Sequence, residues 1–245
     1  MKSDFIMHPP HPETEWSACT GYCASAVQIK PNLDVPLKDA SVCTGPDQLY
    51  YLTGTTDGGK VEIWTSSDLK GWTGPTAVWD LAQAGTWQQA SKDSSGLCSP
   101  EIHVAKGTFW ITYGLRQGGT GLLKSLSATV KGPYLDMGQM TADGHDASLF
   151  EDEDGAVYWV YGNGRIAKMK EDMTGLEELP RMVEVQPWKV AGREDHPSYT
   201  GNLQVGAYGA FLYKRDRLYY MFCADPLERM GSDAVDTFVA VSESI

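Results

Sequence analysis

The stretch KDASVCTGPDQLYYLTG, residues 38–54, returns in similar form as GHDASLFEDEDGAVYWVYG at residues 144–162. Both read Asp-Ala-Ser, an apolar pair, a polar turn and an aromatic run that ends in glycine, with Asp39 and Asp146 in the leading place. Apolar segments on either side of a turn rich in Gly, Pro or Asp predict a β-hairpin. The chain therefore repeats one hairpin with the same acid in front of it.

Four aromatic segments continue this repeat. They are QLYYLTG (48–54), TFWITYG (108–114), AVYWVYG (156–162) and RLYYMFC (217–223). Each follows a short apolar segment and a tight turn, and each is followed by another alternating segment, which predicts an antiparallel meander of three or four strands. Their spacing of about 50 to 60 residues is typical of the blades of a β-propeller.

We therefore expect an all-β protein whose β-propeller domain covers residues 34–245. Its blade modules are predicted at about 34–80, 97–135, 144–185 and 203–245. Residues 1–33 are rich in proline and weakly periodic, which predicts an irregular leader that contributes one edge strand. The last module stops short of the Gly-Pro pair that follows the third strand of the first two modules, so we expect the final blade to be incomplete.

The negative charge of the protein limits the kinds of partner that it can bind. Acidic residues number 32 against 20 basic ones, a net charge of -12 at pH 7, which repels nucleic acid backbones and anionic lipid. We therefore expect neither nucleic acid nor a membrane as a partner. Tryptophan faces stack on the apolar faces of sugars, so eight Trp favour a carbohydrate ligand, with Trp64 and Trp110 as candidate platforms. The alternative for each Trp is a place in the core, where large aromatic side chains are usually found.

The sequence contains no apolar run long enough for a signal peptide or a membrane-spanning helix. We expect a soluble chain, and its localisation stays open between the cytoplasm and export of a trimmed precursor. The five cysteines lack the paired spacing of a zinc site, and no cofactor or metal is predicted. EDEDG at 151–155 predicts a hairpin turn rather than a calcium loop, because Tyr161 stands where an EF-hand needs its last acid.

Asp39 and Asp146 are the candidate site residues. The first strand of each propeller blade faces the central axis, so both acids are expected to reach one cavity although the sequence separates them widely. Two carboxylates on opposite walls of a cleft are the minimum equipment for cleaving a glycosidic bond. The alternative is that each Asp only caps the turn that enters its strand; the matched frames favour a site.

Three motifs resemble the family-43 glycoside hydrolases, the arabinosidase and xylosidase propellers. They are Asp-Ala-Ser-Val before GPDQLYYLTGTT, SPEIH before the second aromatic strand, and HDASLFEDEDGAVYWVYG followed by GRIAKMKEDMTGL. The resemblance covers about residues 34–245 and implies a five-bladed propeller that hydrolyses pentose-containing glycans with inversion of the anomeric configuration. It also implies that Asp39 is the general base and that Asp146 tunes the pKa of the acid and orients the substrate.

The sequence departs from the family pattern at the general acid. The family has a Glu at the head of the fourth blade, in a Glu-Gly-Pro or Glu-Gly-Ala frame, and here VGAYGAFLYKRDRLYYMF places Tyr208 there. A phenol is a far weaker proton donor than a tuned carboxylic acid, and losing general-acid assistance costs about 100- to 10,000-fold in rate. The Trp before Ala-Pro-Glu in the second blade is Cys98 here, followed by Ser99.

The fifth-blade segment of the family does not occur up to Ile245, so the resemblance implies a truncated or degenerate member. Other polar residues near the blade heads that could substitute for the missing acid are Glu101 at the second blade and Glu194, Asp195 and His196 before the fourth, but each is expected to be an ordinary polar residue. Glu101 lies two residues deeper in its strand than Asp39, on the same face, and is expected to line the cavity.

His145, beside Asp146, is expected to bind a sugar hydroxyl. The leading hypothesis is a glycosidase with impaired or altered acid catalysis. The alternatives are a carbohydrate-binding propeller without turnover and an inactive fragment.

Overall fold

The structure is a computed structural model that describes residues 5–8, 33, 35–85, 87–88, 96–186, 205–226 and 235–245. In chain order its strands are β1 (Phe5–His8), β2 (Lys38–Thr44), β3 (Tyr50–Thr55), β4 (Lys60–Ser66), β5 (Thr73–Asp80), β6 (Leu97–Ala105), β7 (Thr108–Leu115), β8 (Gly119–Ser125), β9 (Tyr134–Thr141), β10 (Ser148–Glu151), β11 (Val157–Tyr161), β12 (Arg165–Lys168), β13 (Arg181–Met182), β14 (Val185–Gln186), β15 (Tyr208–Arg215), β16 (Leu218–Pro226) and β17 (Val235–Ser242). A 3-10 turn covers Leu81–Gln83. No helix in these described ranges has the length and apolar composition needed to cross a bilayer.

The strands form four sheets, each an antiparallel meander. The first three have the orders β2-β3-β4-β5, β6-β7-β8-β9 and β10-β11-β12-β13. In the fourth, β15, β16, β17 and β1 follow one another, and β14 lies parallel beside β1. Each aromatic segment is the second strand of its sheet, which confirms the predicted module and the all-β class.

The fourth sheet takes a strand from the N-terminal part of the chain. Strand β1 pairs antiparallel with β17, with Ile6 opposite Val241. It therefore lies inside the sheet between β17 and β14, whereas we expected an edge strand. The second sheet also extends to Thr141 through β9, beyond the predicted module end at 135.

Hydrophobic cores lie between consecutive sheets, because side chains of one strand alternate between its two faces. In β7, Phe109, Ile111 and Tyr113 belong to the core shared with the first sheet, and Trp110 belongs to the core shared with the third. A third core joins the third and fourth sheets, with Val160 and Met221 among its fully buried members. Strands buried on both faces explain why the aromatic runs are almost continuously apolar.

The first strand of each sheet lies innermost. Strands β2, β6, β10 and β15 together line a cavity of about 320 Å³ whose walls include Ser41, Glu101, His103, Phe211 and Tyr213. One strand from every sheet therefore faces a common axis, which is the arrangement of a β-propeller. Four blades of the propeller lie in the described residues, as predicted.

The EDEDG segment forms the predicted hairpin turn and also holds two blades together. The Asp152 amide donates to Ala156 O over 2.8 Å. The Asp152 carboxylate accepts from Lys214 Nζ over 2.7 Å and from the Tyr219 hydroxyl over 2.6 Å, both on the fourth sheet. Partial burial of Asp152 opposes its ionisation, but these hydrogen bonds outweigh it, and the pKa lies below the ordinary value of 3.8.

Replacing Asp152 tests whether its bonds to Lys214 and Tyr219 stabilise the packing of the third sheet against the fourth. Asp152→Asn removes the charge that Lys214 and Tyr219 bind, and we expect the melting temperature at neutral pH to fall by about 4 °C or more. Since the folded pKa is depressed, the stabilisation is present above pH 3.8 and disappears as the pH falls through the folded pKa. Glu153→Gln is the control: Glu153 also contacts Lys214 but its side chain is 83% exposed, so its loss should change the melting temperature little. Equal melting curves for Asp152→Asn and wild type would show that these bonds do not stabilise the fold.

Candidate active site

The blade heads share an unusual backbone conformation. Asp39, Ser99 and Asp146 have φ angles of 50°, 46° and 52°, and Gly209 has 70° at the corresponding point of the fourth sheet. Register shifts mark a bulge at the start of β2, β6 and β15. Positive φ costs a residue other than glycine about 1 kcal/mol or more, and such strain concentrates at functional sites. Asp39, Ser99 and Gly209 lie within these bulges, near the starts of β2, β6 and β15, and Asp146 lies two residues before β10.

A chain of hydrogen bonds connects the two aspartates. The Thr55 hydroxyl donates to Asp39 Oδ2 over 2.7 Å and accepts from the Ser99 backbone amide, also over 2.7 Å. The Ser99 hydroxyl donates to Asp146 Oδ1 over 2.6 Å. Asp39 and Asp146 are thus brought together across three blades.

His145 completes the group on the side of Asp146. Its Nδ1 lies 2.8 Å from Asp146 Oδ2, and its side chain is 53% exposed. Asp146 therefore has a partner on each carboxylate oxygen. Among the described residues only Thr55 hydrogen-bonds to Asp39, and it uses Oδ2, so Oδ1 is left to bind a ligand or water.

The pKa of the Cys98 thiol is affected by the charges of Asp39 and Asp146. Burial raises its pKa to about 11, and the negative charges of Asp146 and Asp39 act in the same direction, opposed by Arg116. The thiol is held neutral chiefly because it is buried, and the two nearby carboxylates add to this effect. Cys98 therefore lies within electrostatic reach of the two aspartates.

Tyr208 begins β15, directly before Gly209, and its backbone pairs with Ala224. The residue is half-buried. Tyr208 thus begins the inner strand of the fourth sheet, as Asp39 lies near the start of the inner strand of the first.

Glu101 lines the axial cavity as expected but does not join the network between the aspartates. Its Oε2 lies 3.4 Å from His103 Nε2, and the same nitrogen accepts from the Leu149 amide over 3.4 Å. Glu101 is therefore placed on the cavity wall, deeper than the aspartates. Glu194, Asp195 and His196 lie outside the described residues.

The two candidate tryptophans, Trp64 and Trp110, are buried in the fold. Trp64 is 3% exposed and Trp110 is 1% exposed. The Trp110 indole donates to Ala105 O over 2.9 Å, and the ring packs in the core between the second and third sheets. Neither ring offers a face to a sugar, so this burial argues against the predicted stacking role.

Sequence reasoning missed Thr55 and Ser99 as site residues. Thr55 ends β3, and the antiparallel register places it opposite Lys38, next to Asp39. The hairpin pattern contained this signal, since the end of a second strand always lies beside the start of the first. Ser99 was visible only as a departure from the family pattern. No group of three or more metal-binding side chains occurs in the part of the chain that the structure describes.

Solved structures define the class of fold. The exo-1,5-alpha-L-arabinanase from a bovine ruminal metagenomic library superposes with a TM-score of 0.62 at 19% identity, over 85% of this chain and 71% of that chain. The GH43 protein BlXynB from Bacillus licheniformis superposes with a TM-score of 0.65 at 22% identity, over 88% of this chain and 41% of that chain. Identities this low show a common fold, and the fold is the propeller of these proteins.

The sequence identifies the family. The sequence pattern of Glycosyl hydrolases family 43 matches residues 30–245, and the chain belongs to that family. A curated relative from Escherichia coli (strain K12), named "Putative beta-xylosidase", is 26% identical over 198 residues. That match covers 76% of this chain and 35% of the E. coli protein, so this chain spans about a third of the length of its relative. The resemblance inferred from the blade motifs is confirmed.

Alkylation of Cys98 tests, without a substrate, whether Asp39 and Asp146 both lie near its thiol. Asp39→Asn combined with Asp146→Asn removes two negative charges that oppose thiolate formation. We expect the pKa of Cys98 to fall and iodoacetamide alkylation near about pH 8 to accelerate about two- to five-fold, as followed by peptide mass spectrometry. Cys43, whose pKa burial and the charge of Asp47 raise to about 12, is the internal control. An unchanged Cys98 rate would mean that the acids lie too far away to act on it.

Proposed function

We propose that this propeller hydrolyses glycosidic bonds of arabinose- or xylose-containing glycans with inversion, using Asp39 as the general base. The single observation that carries the proposal is the hydrogen-bonded link from Asp39 through Thr55 and Ser99 to Asp146. Family membership supports glycoside hydrolysis as the reaction class. The names of the similar proteins, an arabinanase and a xylosidase, support a pentose substrate.

The different surroundings of the two carboxylates support different roles. Asp39 is exposed, and one of its oxygens has no described partner, so it can accept a proton from an attacking water. Asp146 has both oxygens bound, by Ser99 and by the adjacent His145. A carboxylate held in this way orients substrate and stabilises positive charge at the sugar ring, which is the supporting role proposed for it.

Tyr208 occupies the place from which the leaving group would be protonated. Its hydroxyl can donate a hydrogen bond to the glycosidic oxygen, but a phenol transfers its proton reluctantly at neutral pH. Substrates with good leaving groups need little protonation and are the ones that this site would cleave. We place His145 at the rim, where its exposed ring can contact sugar hydroxyls, and Glu101 on the wall below.

The second candidate function is sugar binding without turnover. The observation that favours it is the replacement of the family's acid by Tyr208. Both functions use the same pocket, with the two aspartates as hydrogen-bond acceptors for sugar hydroxyls. They differ in whether the bound sugar reacts.

Aryl glycosides distinguish the two functions. We expect release of nitrophenol from nitrophenyl α-L-arabinofuranoside or β-D-xyloside, and a loss of at least about 100-fold in Asp39→Asn. Asp216→Asn is the matched control, because Asp216 has a φ of 51° and an exposed side chain on a hairpin away from the site; it should keep the wild-type rate. Saturable pentose binding measured by calorimetry, without any nitrophenol release, would establish the binding function instead.

Restoring the family's acid tests the assignment of Tyr208. Tyr208→Glu introduces a carboxylic acid, and we expect the rate on unactivated oligosaccharides to rise by about 100-fold or more, with a smaller effect on aryl glycosides. Chromatography of the released sugars is the measurement. Tyr208→Gln, which has a similar size but no acidic proton, should produce no such gain. Equal rates for the two variants would exclude this position as the source of the proton.

A further inference from the structure

Ser99 makes two contacts that lead to different aspartates. Its backbone amide donates to the Thr55 hydroxyl, and its own hydroxyl donates to Asp146 Oδ1. The residue is 7% exposed, so water competes weakly for these bonds. Ser99 is therefore the point at which the surroundings of Asp39 and Asp146 meet.

The amide of Ser99 sets the direction of the neighbouring hydrogen bond. A threonine hydroxyl has one proton, and its oxygen can accept while that proton is donated. Because Thr55 Oγ1 accepts from the Ser99 amide, its proton points to Asp39 Oδ2. Hydrogen bonds to an ionised carboxylate are about twice as strong as neutral ones, so Asp39 is held firmly by a group that Ser99 orients.

The backbone of Ser99 is held in a costly conformation. Its φ of 46° lies in the left-handed region, which glycine adopts freely and serine does not. The hydrogen bond from the Ser99 hydroxyl to Asp146 offsets this cost, because it satisfies a buried donor and is made to a charged acceptor. A glycine at this position would relieve the strain but would leave Asp146 with one partner fewer.

The order of the contacts excludes a nucleophilic serine. Ser99, Asp146 and His145 lie in a row, but Asp146 stands in the middle. In a catalytic triad the histidine contacts the serine and removes its proton. Here the carboxylate is the direct partner of the hydroxyl, so this hydroxyl acts as a hydrogen-bond donor.

We propose that Ser99 is a positioning residue that couples the two carboxylates, so that Asp39 and Asp146 keep their places relative to one another when substrate binds. This role rests on the hydrolytic function proposed for the same site. Ser99 does not touch the substrate; it acts through Asp146 with its side chain and through Thr55 with its amide. The inference therefore predicts an effect on turnover that exceeds the effect on substrate binding.

Two substitutions of Ser99 separate this role from a structural one. Ser99→Ala and Ser99→Gly both remove the hydroxyl and keep the amide, and we expect both to lower kcat on aryl glycosides by about 10- to 100-fold, with KM changed less than about two-fold. Ser99→Gly should melt at a higher temperature than Ser99→Ala, because glycine tolerates the positive φ. If Ser99 serves only the fold, the glycine variant recovers both stability and kcat, and the proposal is wrong.

Thr55 provides the second arm of the experiment. Thr55→Val removes the hydroxyl that links Ser99 to Asp39, and kcat should fall as it does in Ser99→Ala. Thr55→Ser keeps that hydroxyl and should retain most of the wild-type kcat. A Thr55→Ser variant as slow as Thr55→Val would overturn the proposed coupling, since the hydroxyl would then not be the important group.

Thermal unfolding tests the contact independently of activity. Ser99→Ala and Asp146→Ala remove the donor and the acceptor of one hydrogen bond, so their losses in melting temperature should not add in the double variant. Ser99→Ala combined with the distant Asp216→Asn is the control and should be additive. Additive losses for Ser99 and Asp146 overturn the proposal. A non-additive pair in a protein that releases no nitrophenol would retain the coupling and reject the hydrolytic function.

Discussion

The hydrogen bond from the Ser99 amide to the Thr55 hydroxyl joins the first blade to the second at the point where the site lies. Its donor belongs to the backbone, so its position depends on the bulge at the start of β6 and not on a flexible side chain. The bulge in turn is fixed because the strands around it are paired and buried. Small errors in the packing of these two blades would therefore separate the two aspartates.

Packing between blades explains why Trp110 offers no face to a ligand. Side chains of the strands fill the space between consecutive sheets, and the Trp110 ring fills part of it between the second and third sheets. Burial of this surface is the main favourable contribution to folding. The same residues that hold the blade heads at a fixed separation are thus withdrawn from contact with a ligand, and the polar blade heads are left to recognise it.

The chemistry of the site follows from unequal hydrogen bonding of two equal side chains. Asp39 is exposed and, among the described residues, is hydrogen-bonded only at Oδ2, whereas Asp146 is bound by Ser99 and lies next to His145 on its other side. This asymmetry supports a base and a supporting carboxylate in a family whose members cleave sugars. Under the proposed assignment of Tyr208 to the place of the acid, the site would suit leaving groups that depart without a strong proton donor.

The repeated hairpins of the sequence determine much of the architecture. Periodicity of apolar residues and turn-forming residues are local properties, and they were sufficient to predict the four meanders, their second strands, the hairpin at EDEDG and the placement of Asp39 and Asp146 at blade heads. The burial of Trp64 and Trp110 could not be predicted from local patterns, because it depends on which sheet covers each face of their strands. The strand Phe5–His8 was also misjudged, since its partner β17 comes from the opposite part of the sequence.

Only the tertiary structure identified Thr55 and Ser99 and decided which oxygen of each aspartate has a partner. These bonds join residues 44 and 47 positions apart in the chain. A sequence pattern records which side chains alternate along one strand. It does not record how one blade is placed against the next, because that distance is set by the packing of entire sheets.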